Sequence, residues 1–256
     1  MNKFLKIGAA LAVFFALFDS AVAATEETVT ETRPIDARVV RIKLDGVIDL
    51  RLRQGPVPQL MITGDKRWLS KTITEQSGDT LTIDTEMRGF KLNKHVGLRA
   101  ELILPQLREV SSESVGWTDI SGFSGDELEL SLDGAGSMKV NCSYRVVTAS
   151  LGGVGSMNIQ GANTEGIDLN LRGAGYVTLS GRSKWLKATL GGLGGLDAEK
   201  FLVDTVNLEL SGLGNATVNA RQSANLNLSG LGSVTIYGKP LNRSVSVDGL
   251  GKVSWK

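Results

Sequence analysis

The sequence predicts an all-β protein, a β-solenoid whose coils are 19–20 residues long. Two observations carry this prediction: a short Gly-x-Gly loop recurs at a nearly constant spacing, and residues of alternating polarity flank every copy. The steps between successive loops are 19, 20, 19, 20, 18 and 19 residues, and a fixed period near twenty residues is typical of stacked repeats. The first loop glycines are Gly134, Gly153, Gly173, Gly192, Gly212, Gly230 and Gly249.

Four positions around each loop predict the core. When the first loop glycine is numbered zero, positions −4, −2, +4 and +6 are apolar in every coil. Because side chains alternate between the two faces of a strand, these four positions share one face, which we expect to be buried. They run from Leu130, Leu132, Met138 and Val140 in the first regular coil to Val245, Val247, Val253 and Trp255 in the last.

Cys142 is the one cysteine and lies in the inward register. No intrachain disulfide can therefore form. We expect Cys142 to be a small buried apolar residue rather than a reactive thiol.

The loop glycines have a structural explanation. A sharp corner between strands needs either positive φ or a close backbone approach, and glycine permits both. A strand follows each loop, so the helix that accompanies a nucleotide-binding glycine loop is missing. The repeat also lacks the aspartate column of glycine-rich calcium-binding coils. We therefore expect no cofactor and no metal.

The residue between the two loop glycines is apolar in every coil. Either the corner turns these side chains into the core or they form an exposed stripe, which would be a partner site. The inward orientation is the favoured prediction. The column reads Ala135, Val154, Ala174, Leu193, Leu213, Leu231 and Leu250.

Residues 1–23 have the pattern of a signal peptide. Lys3 and Lys6 precede an apolar run over 7–18, and Ala21-Val22-Ala23 has the small-x-small form of a cleavage site. This predicts export to the periplasm, the cell surface or the medium. No later segment is apolar enough to span a membrane as a helix. Residues 1–23 carry a net charge of +1, like the whole chain, so the processed chain has no net charge to attract nucleic acid.

Three further segments are predicted. Residues 24–36 are polar and acidic, which indicates a flexible leader. Residues 37–110 alternate less regularly, which favours irregular N-terminal β coils that cap the stack, with His95 as a solvated loop residue. Residues 111–256 form the regular solenoid repeats, so the whole stack would have about nine or ten coils.

The chain resembles the bacterial head GIN domain family of proposed auto-transporter adhesins, a domain of unknown function. The resemblance covers residues 37–256 and rests on four motifs before or at the start of the glycine-rich coils. They are Val47-Ile48-Asp49-Leu50-Arg51-Leu52-Arg53-Gln54-Gly55, Met61-Ile62-Thr63-Gly64-Asp65, Gly78-Asp79-Thr80-Leu81-Thr82-Ile83 and Ala100-Glu101-Leu102-Ile103-Leu104-Pro105. The resemblance implies a right-handed parallel β-helix similar in shape to pectin lyases, and it carries over no catalytic residues.

The outward positions +5 and +7 contain short amides and hydroxyls. Neighbouring coils do not pair carboxylates in these columns, as acid–base catalysis would require, so we expect no catalytic residues. The columns form either a solvated sheet face or a binding face for an extended glycan or a partner surface. The candidate residues are Asn141, Asn158, Thr178, Thr217, Asn219 and Thr235.

These observations favour a non-catalytic exported protein, an adhesion-type or scaffold module of the cell envelope. One alternative is a polysaccharide-active enzyme, which only the pectin-lyase-like shape supports. The other is a module that pairs with an envelope protein through its strand-like end, Val253-Ser254-Trp255.

Overall fold

A computed structural model describes residues 28–85 and 97–256 of the chain. The predicted signal peptide and His95 lie outside these residues. One short helix, α1 (Lys66–Leu69), interrupts a chain of strands. The strands are β1 (Thr28–Arg33), β2 (Arg41–Asp45), β3 (Asp49–Gln54), β4 (Gln59–Asp65), β5 (Thr72–Ser77), β6 (Thr80–Thr85), β7 (Arg99–Leu104), β8 (Glu109–Ser112), β9 (Trp117–Leu132), β10 (Ser137–Leu151), β11 (Ser156–Leu171), β12 (Tyr176–Leu190), β13 (Gly195–Leu210), β14 (Asn215–Leu228), β15 (Ser233–Tyr237), β16 (Asn242–Val247) and β17 (Lys252–Trp255).

The strands stack as a β-solenoid of about seven turns, which confirms the predicted fold class. From β9 onward each strand pairs in parallel with the strand one coil away. The register follows the sequence repeat: Leu171 of β11 lies between Leu151 of β10 and Leu190 of β12. Position −2 therefore stacks on position −2 through the whole array, as its period predicted.

The four apolar columns form the core. Their side chains are at most 4% exposed in the six coils whose loops begin at Gly134 to Gly230. Burial of each Leu, Ile or Val contributes roughly 1.5–3 kcal/mol, so the stack gains its stability coil by coil. The last coil differs, because Val245 and Val247 of β16 are 43% and 41% exposed. Among the described residues no further strand stacks on that coil.

The Gly-x-Gly loops form one corner of the solenoid, and close packing explains their glycines. A Cβ added to Gly192 would lie 2.0 Å from the carbonyl oxygen of Gly173, and one added to Gly194 would lie 2.0 Å from that of Gly175. Both glycine columns thus rest on the backbone of the preceding coil. Of the repeat glycines that are described, Gly249 alone has positive φ. Close approach, rather than positive φ, is therefore the general reason for them.

The prediction that the residue between the loop glycines points inward is wrong. Val154 is 65% exposed, Leu193 68%, Leu213 55%, Leu231 59% and Leu250 84%. The physical reason is the glycine stack, since the flanking α-carbons face the preceding coil and leave the middle side chain no interior space. Its N–H continues the ladder instead, as when Leu213 N donates to Gly192 O at 3.2 Å.

A second corner, where each long strand bends, carries charges whose sign alternates from coil to coil. Arg145 lies 3.4 Å from Asp126 and 3.1 Å from Glu165, and Lys184 lies 3.2 Å from Glu165. Hydrogen bonds from Arg145 and then Lys184 hold the pKa of Glu165 below its ordinary value. Asp204 and Arg221, 3.3 Å apart, continue the alternation. We call these six residues the charged corner.

The N-terminal region mixes parallel and antiparallel pairing. β2 and β3 pair in parallel with later strands, whereas β4 runs antiparallel to β7 and β5 forms an antiparallel hairpin with β6. β4 and β5 thus pair antiparallel with β7 and β6 and do not add parallel coils to the stack. The stack therefore has about seven turns instead of the predicted nine or ten.

The prediction of a flexible leader over 24–36 needs correction, because residues Thr28–Arg33 form β1, which pairs antiparallel with β4. Arg33 fixes this strand, since its guanidinium donates to the carbonyl oxygens of Thr72 (2.6 Å) and Leu69 (3.1 Å). These partners are 36–39 residues away along the chain. The composition of the N-terminal segment alone therefore could not predict this strand.

Cys142 is buried, as predicted, with its Sγ 3.8 Å from Ile120 O. Burial raises the pKa of its thiol to about 11, so little thiolate forms near neutral pH. We expect an aromatic disulfide reagent at pH 8 to label the native protein on the order of a hundredfold more slowly than the urea-unfolded chain. Equal rates would show that Cys142 is accessible.

Candidate functional site

The candidate site is an outward sheet surface, which we call the polar face. It consists of positions +3, +5 and +7, the outward side chains in the first halves of the long strands. Alternation places them opposite the buried positions +4 and +6. All six predicted residues lie on this face, with Asn141 exposed and the other five half-buried.

Position +5 forms one unbroken ladder of directly opposed residues. Thr178 lies between Asn158 and Asp197, and Thr217 lies between Asp197 and Thr235. Neighbouring strands are about 4.8 Å apart, so four of the predicted residues form a straight row interrupted only by Asp197. Toward the N-terminal coils the row continues with four charged residues whose sign alternates. In order they are Lys139, Asp119, Arg51 and Glu101.

Position +7 is less regular. Asn141 continues through Gln160 to Ser180. The register between β12 and β13 is then interrupted after Thr178, and the register between β13 and β14 slips between Ala198 and Leu202. Asn219 lies beyond this slip, and its amide donates to Glu199 O at 3.0 Å. The structure therefore groups Asn141 and Asn219 with the other candidates on one face but does not join them in one ladder.

Position +3 adds an aromatic platform that sequence reasoning missed. A Cβ added to Gly195 would lie 2.8 Å from Cε2 of Tyr176, so the Tyr176 ring lies over Gly195 on the next strand. Gly195 is buried beneath it, while Tyr176 stays 51% exposed. Burial and then the Asp197 carboxylate raise the pKa of Tyr176, so its hydroxyl is a neutral hydrogen-bond donor near neutral pH.

The N-terminal end of the polar face has a second aromatic residue. Trp117 occupies the same column as Tyr176, with Ser137 and Ser156 between them. The guanidinium carbons of Arg51 and Arg99 lie 5.7 Å and 5.5 Å from the centre of the Trp117 ring, within cation–π distance. This end is charged and aromatic, whereas the row from Asn158 to Thr235 contains one charged residue, Asp197.

Two acidic residues of the polar face, Asp197 at position +5 and Glu199 at position +7, lie on the same strand, β13. The Asp197 carboxylate accepts a hydrogen bond from Glu199 N at 3.1 Å. A cleft of 780 Å³ elsewhere contains Asp126, Glu127 and Glu129, all solvent-exposed, and Asp126 pairs with Arg145. General acids of glycosidases are usually less solvated than these carboxylates. Within residues 28–85 and 97–256, no His, Cys, Asp and Glu side chains form a cluster that could hold a metal ion.

Comparison with protein families gives a match that covers most of the chain. The family model described as "Putative auto-transporter adhesin, head GIN domain" matches residues 40–240. No curated protein sequence matches the chain. Among the described residues, no helix is both long and apolar enough to cross a membrane.

Solved structures share the fold at low sequence identity. The chain is similar to a "Putative lipid binding protein" and a "putative adhesin", both from Parabacteroides distasonis ATCC 8503. The first has a TM-score of 0.81 and 20% identity, covering 90% of this chain and 96% of that one. The second has a TM-score of 0.80 and 18% identity, covering 90% and 97%. A "putative adhesin" from Bacteroides fragilis NCTC 9343 has a TM-score of 0.66 and 21% identity, covering 91% and 98%.

Proposed function

The chain belongs to the head GIN domain family, whose description is that of an auto-transporter adhesin, and from this premise we propose that it is an exported, non-catalytic binding module of the cell envelope. Its ligand is an extended glycan, and the polar face is the surface that holds it. The centre of that face, around Thr178, Asp197 and Thr217, is the contact region.

One observation carries the proposal. The row of Asn158, Thr178, Asp197, Thr217 and Thr235 repeats hydrogen-bonding groups at the strand spacing, about 4.8 Å, on a rigid sheet. A polysaccharide also repeats its hydroxyls along a line. Tyr176 adds an exposed ring that lies against the sheet beside Thr178, where the apolar face of a sugar ring can stack. Because sheet and side chains are preorganised, binding does not require ordering of the protein.

The experiment is native affinity electrophoresis of residues 24–256 through gels that contain one polysaccharide each: a pectin, a soluble β-glucan or a mannan. We expect at least one of these to retard the protein. The double variant Thr178→Lys, Thr217→Lys should lose that retardation, because two long side chains would cover the centre of the face on both sides of Asp197. Tyr176→Ala should weaken retardation at least about tenfold without adding charge.

The matched control is Thr148→Lys, Thr189→Lys, which adds the same charge to outward positions in the second halves of β10 and β12. The control should bind like the wild type. Retardation that survives in the Thr178/Thr217 variant would contradict the proposal, as would equal loss in the control. New reducing or unsaturated ends in the retarded lanes would mean that the protein is an enzyme.

A further inference from the structure

The column between the loop glycines is a row of exposed apolar side chains, which we call the leucine ridge. Its large members are Val154, Leu193, Leu213, Leu231 and Leu250, each more than half exposed. Soluble proteins seldom keep apolar side chains in contiguous exposed rows without a binding role. The polar face does not use this corner, so the ridge needs an explanation of its own.

The ridge is straight and rigid. Its backbone continues the coil-to-coil hydrogen-bond ladder: Ala174 N donates to Gly153 O and Leu213 N to Gly192 O, both at 3.2 Å. Stacking at about 4.8 Å per coil places Val154 and Leu250 roughly 24 Å apart along one line. The tips therefore meet a flat surface together, without any change in conformation.

The surroundings of the ridge carry no charge over three coils. The flanking positions −1 to +3 contain only glycine, serine and asparagine around Leu193, Leu213 and Leu231. Charges appear at the ends, with Arg172 on one side and Asp248 and Lys252 on the other. The charged corner occupies a different edge of the coil. A surface that receives the ridge thus need not supply counter-charges.

We propose that the leucine ridge docks on the surface of a zwitterionic lipid bilayer and inserts its tips at the boundary between headgroups and acyl chains. A straight, convex, neutral row of aliphatic tips fits a planar apolar layer. A protein partner would instead need a long apolar groove of matching curvature. Insertion of this kind reaches about 5–10 Å deep, which the tips of a projecting ridge can achieve while the sheets stay in water.

The test uses a single polarity-sensitive label. Cys142 is buried, so Leu213→Cys in residues 24–256 provides the one readily labelled thiol. With vesicles of pure phosphatidylcholine, a nitrobenzoxadiazole group at position 213 should shift its emission to the blue and gain intensity. The matched control is Asn207→Cys, an exposed outward position in the same coil. Its label should report an aqueous environment with and without vesicles.

A second measurement removes the ridge instead of labelling it. In co-sedimentation with the same vesicles, Leu193→Ser, Leu213→Ser, Leu231→Ser should partition at least about tenfold less than the wild type. The control triple Val57→Ser, Ile73→Ser, Leu241→Ser removes apolar residues elsewhere that are at least as exposed and should partition normally.

The two experiments can overturn the proposal in three ways. No shift at position 213, or an equal shift at position 207, would exclude insertion of the ridge. Partitioning of the ridge triple at the wild-type level would exclude it too. Binding that requires vesicles with added phosphatidylglycerol would assign the interaction to charge instead. None of these results depends on whether the polar face binds a glycan.

Discussion

Gly192→Ala is expected to destabilise the solenoid by about 3 kcal/mol or more. The added Cβ would lie 2.0 Å from Gly173 O and 2.7 Å from Arg172 O. Both atoms belong to backbone, so neither can rotate away as a side chain could. Relief would require the two coils to separate at the corner, which would break ladder hydrogen bonds such as Gly191 N to Leu171 O and Gly195 N to Gly175 O.

The measurement is urea unfolding followed by the strand signal in circular dichroism. The adjacent Gly191→Ala is a matched control, because its Cβ would meet nothing closer than Ser211 Oγ at 3.6 Å. Neither glycine has positive φ, so the control should change stability by less than about 1 kcal/mol. Equal unfolding midpoints for the two variants would contradict close stacking as the reason for the loop glycines.

Phe201→Ala should cost about 3–5 kcal/mol. Phe201 is completely buried and lies opposite Gly181 of β12, a residue without a side chain to fill the space that truncation would leave. Parallel pairing with β12 from Gly181 onward holds this part of β13 in place. The cavity therefore cannot collapse fully.

Leu202→Ala is the control for this variant, since the neighbouring Leu202 is 37% exposed. It should cost less than about 1.5 kcal/mol in the same urea titration. A loss from Phe201→Ala no larger than that from Leu202→Ala would mean that Phe201 contributes little to the interior. A shared decrease in the slope of the transition would instead indicate that coils unfold separately.

The coil period and the core could be predicted because both depend on strict spacing. A period of two fixes the face of a strand, and a period near twenty stacks that face on itself. Leu171 and Leu190 are therefore inward for the same reason. The outward row through Asn158, Thr178 and Thr217 follows from the same alternation, so this part of the candidate site was accessible from sequence.

The direction of the ridge could not be predicted from its composition. Leu213 is apolar whether it points inward or outward, and apolar character normally favours the interior. What decides is a backbone contact, the glycine α-carbons against the carbonyl groups of the preceding coil, and a sequence pattern does not show which way that contact faces.

The remaining differences come from contacts between distant residues. β1 is polar, and its partner β4 and the acceptors of Arg33 are supplied by later segments. The Tyr176 platform depends on Gly195 one coil later. A tyrosine at position +3 followed by a glycine at the same position in the next coil is a signal that could have identified the platform.

The charged corner repeats every two coils, whereas the apolar columns repeat every coil. The sign alternates through Asp126, Arg145, Glu165, Lys184, Asp204 and Arg221, so the pattern repeats every second coil. Excision of the Glu165 coil would place Arg145 next to Lys184, a like-charge pair. Excision of that coil together with the Lys184 coil would place Arg145 next to Asp204. Each exposed pair contributes only about 0.2–1 kcal/mol to stability. The loss of one coil nevertheless always creates a like-charge contact, whereas the loss of two coils does not. The charged corner therefore favours a change in the length of the solenoid by two coils at a time.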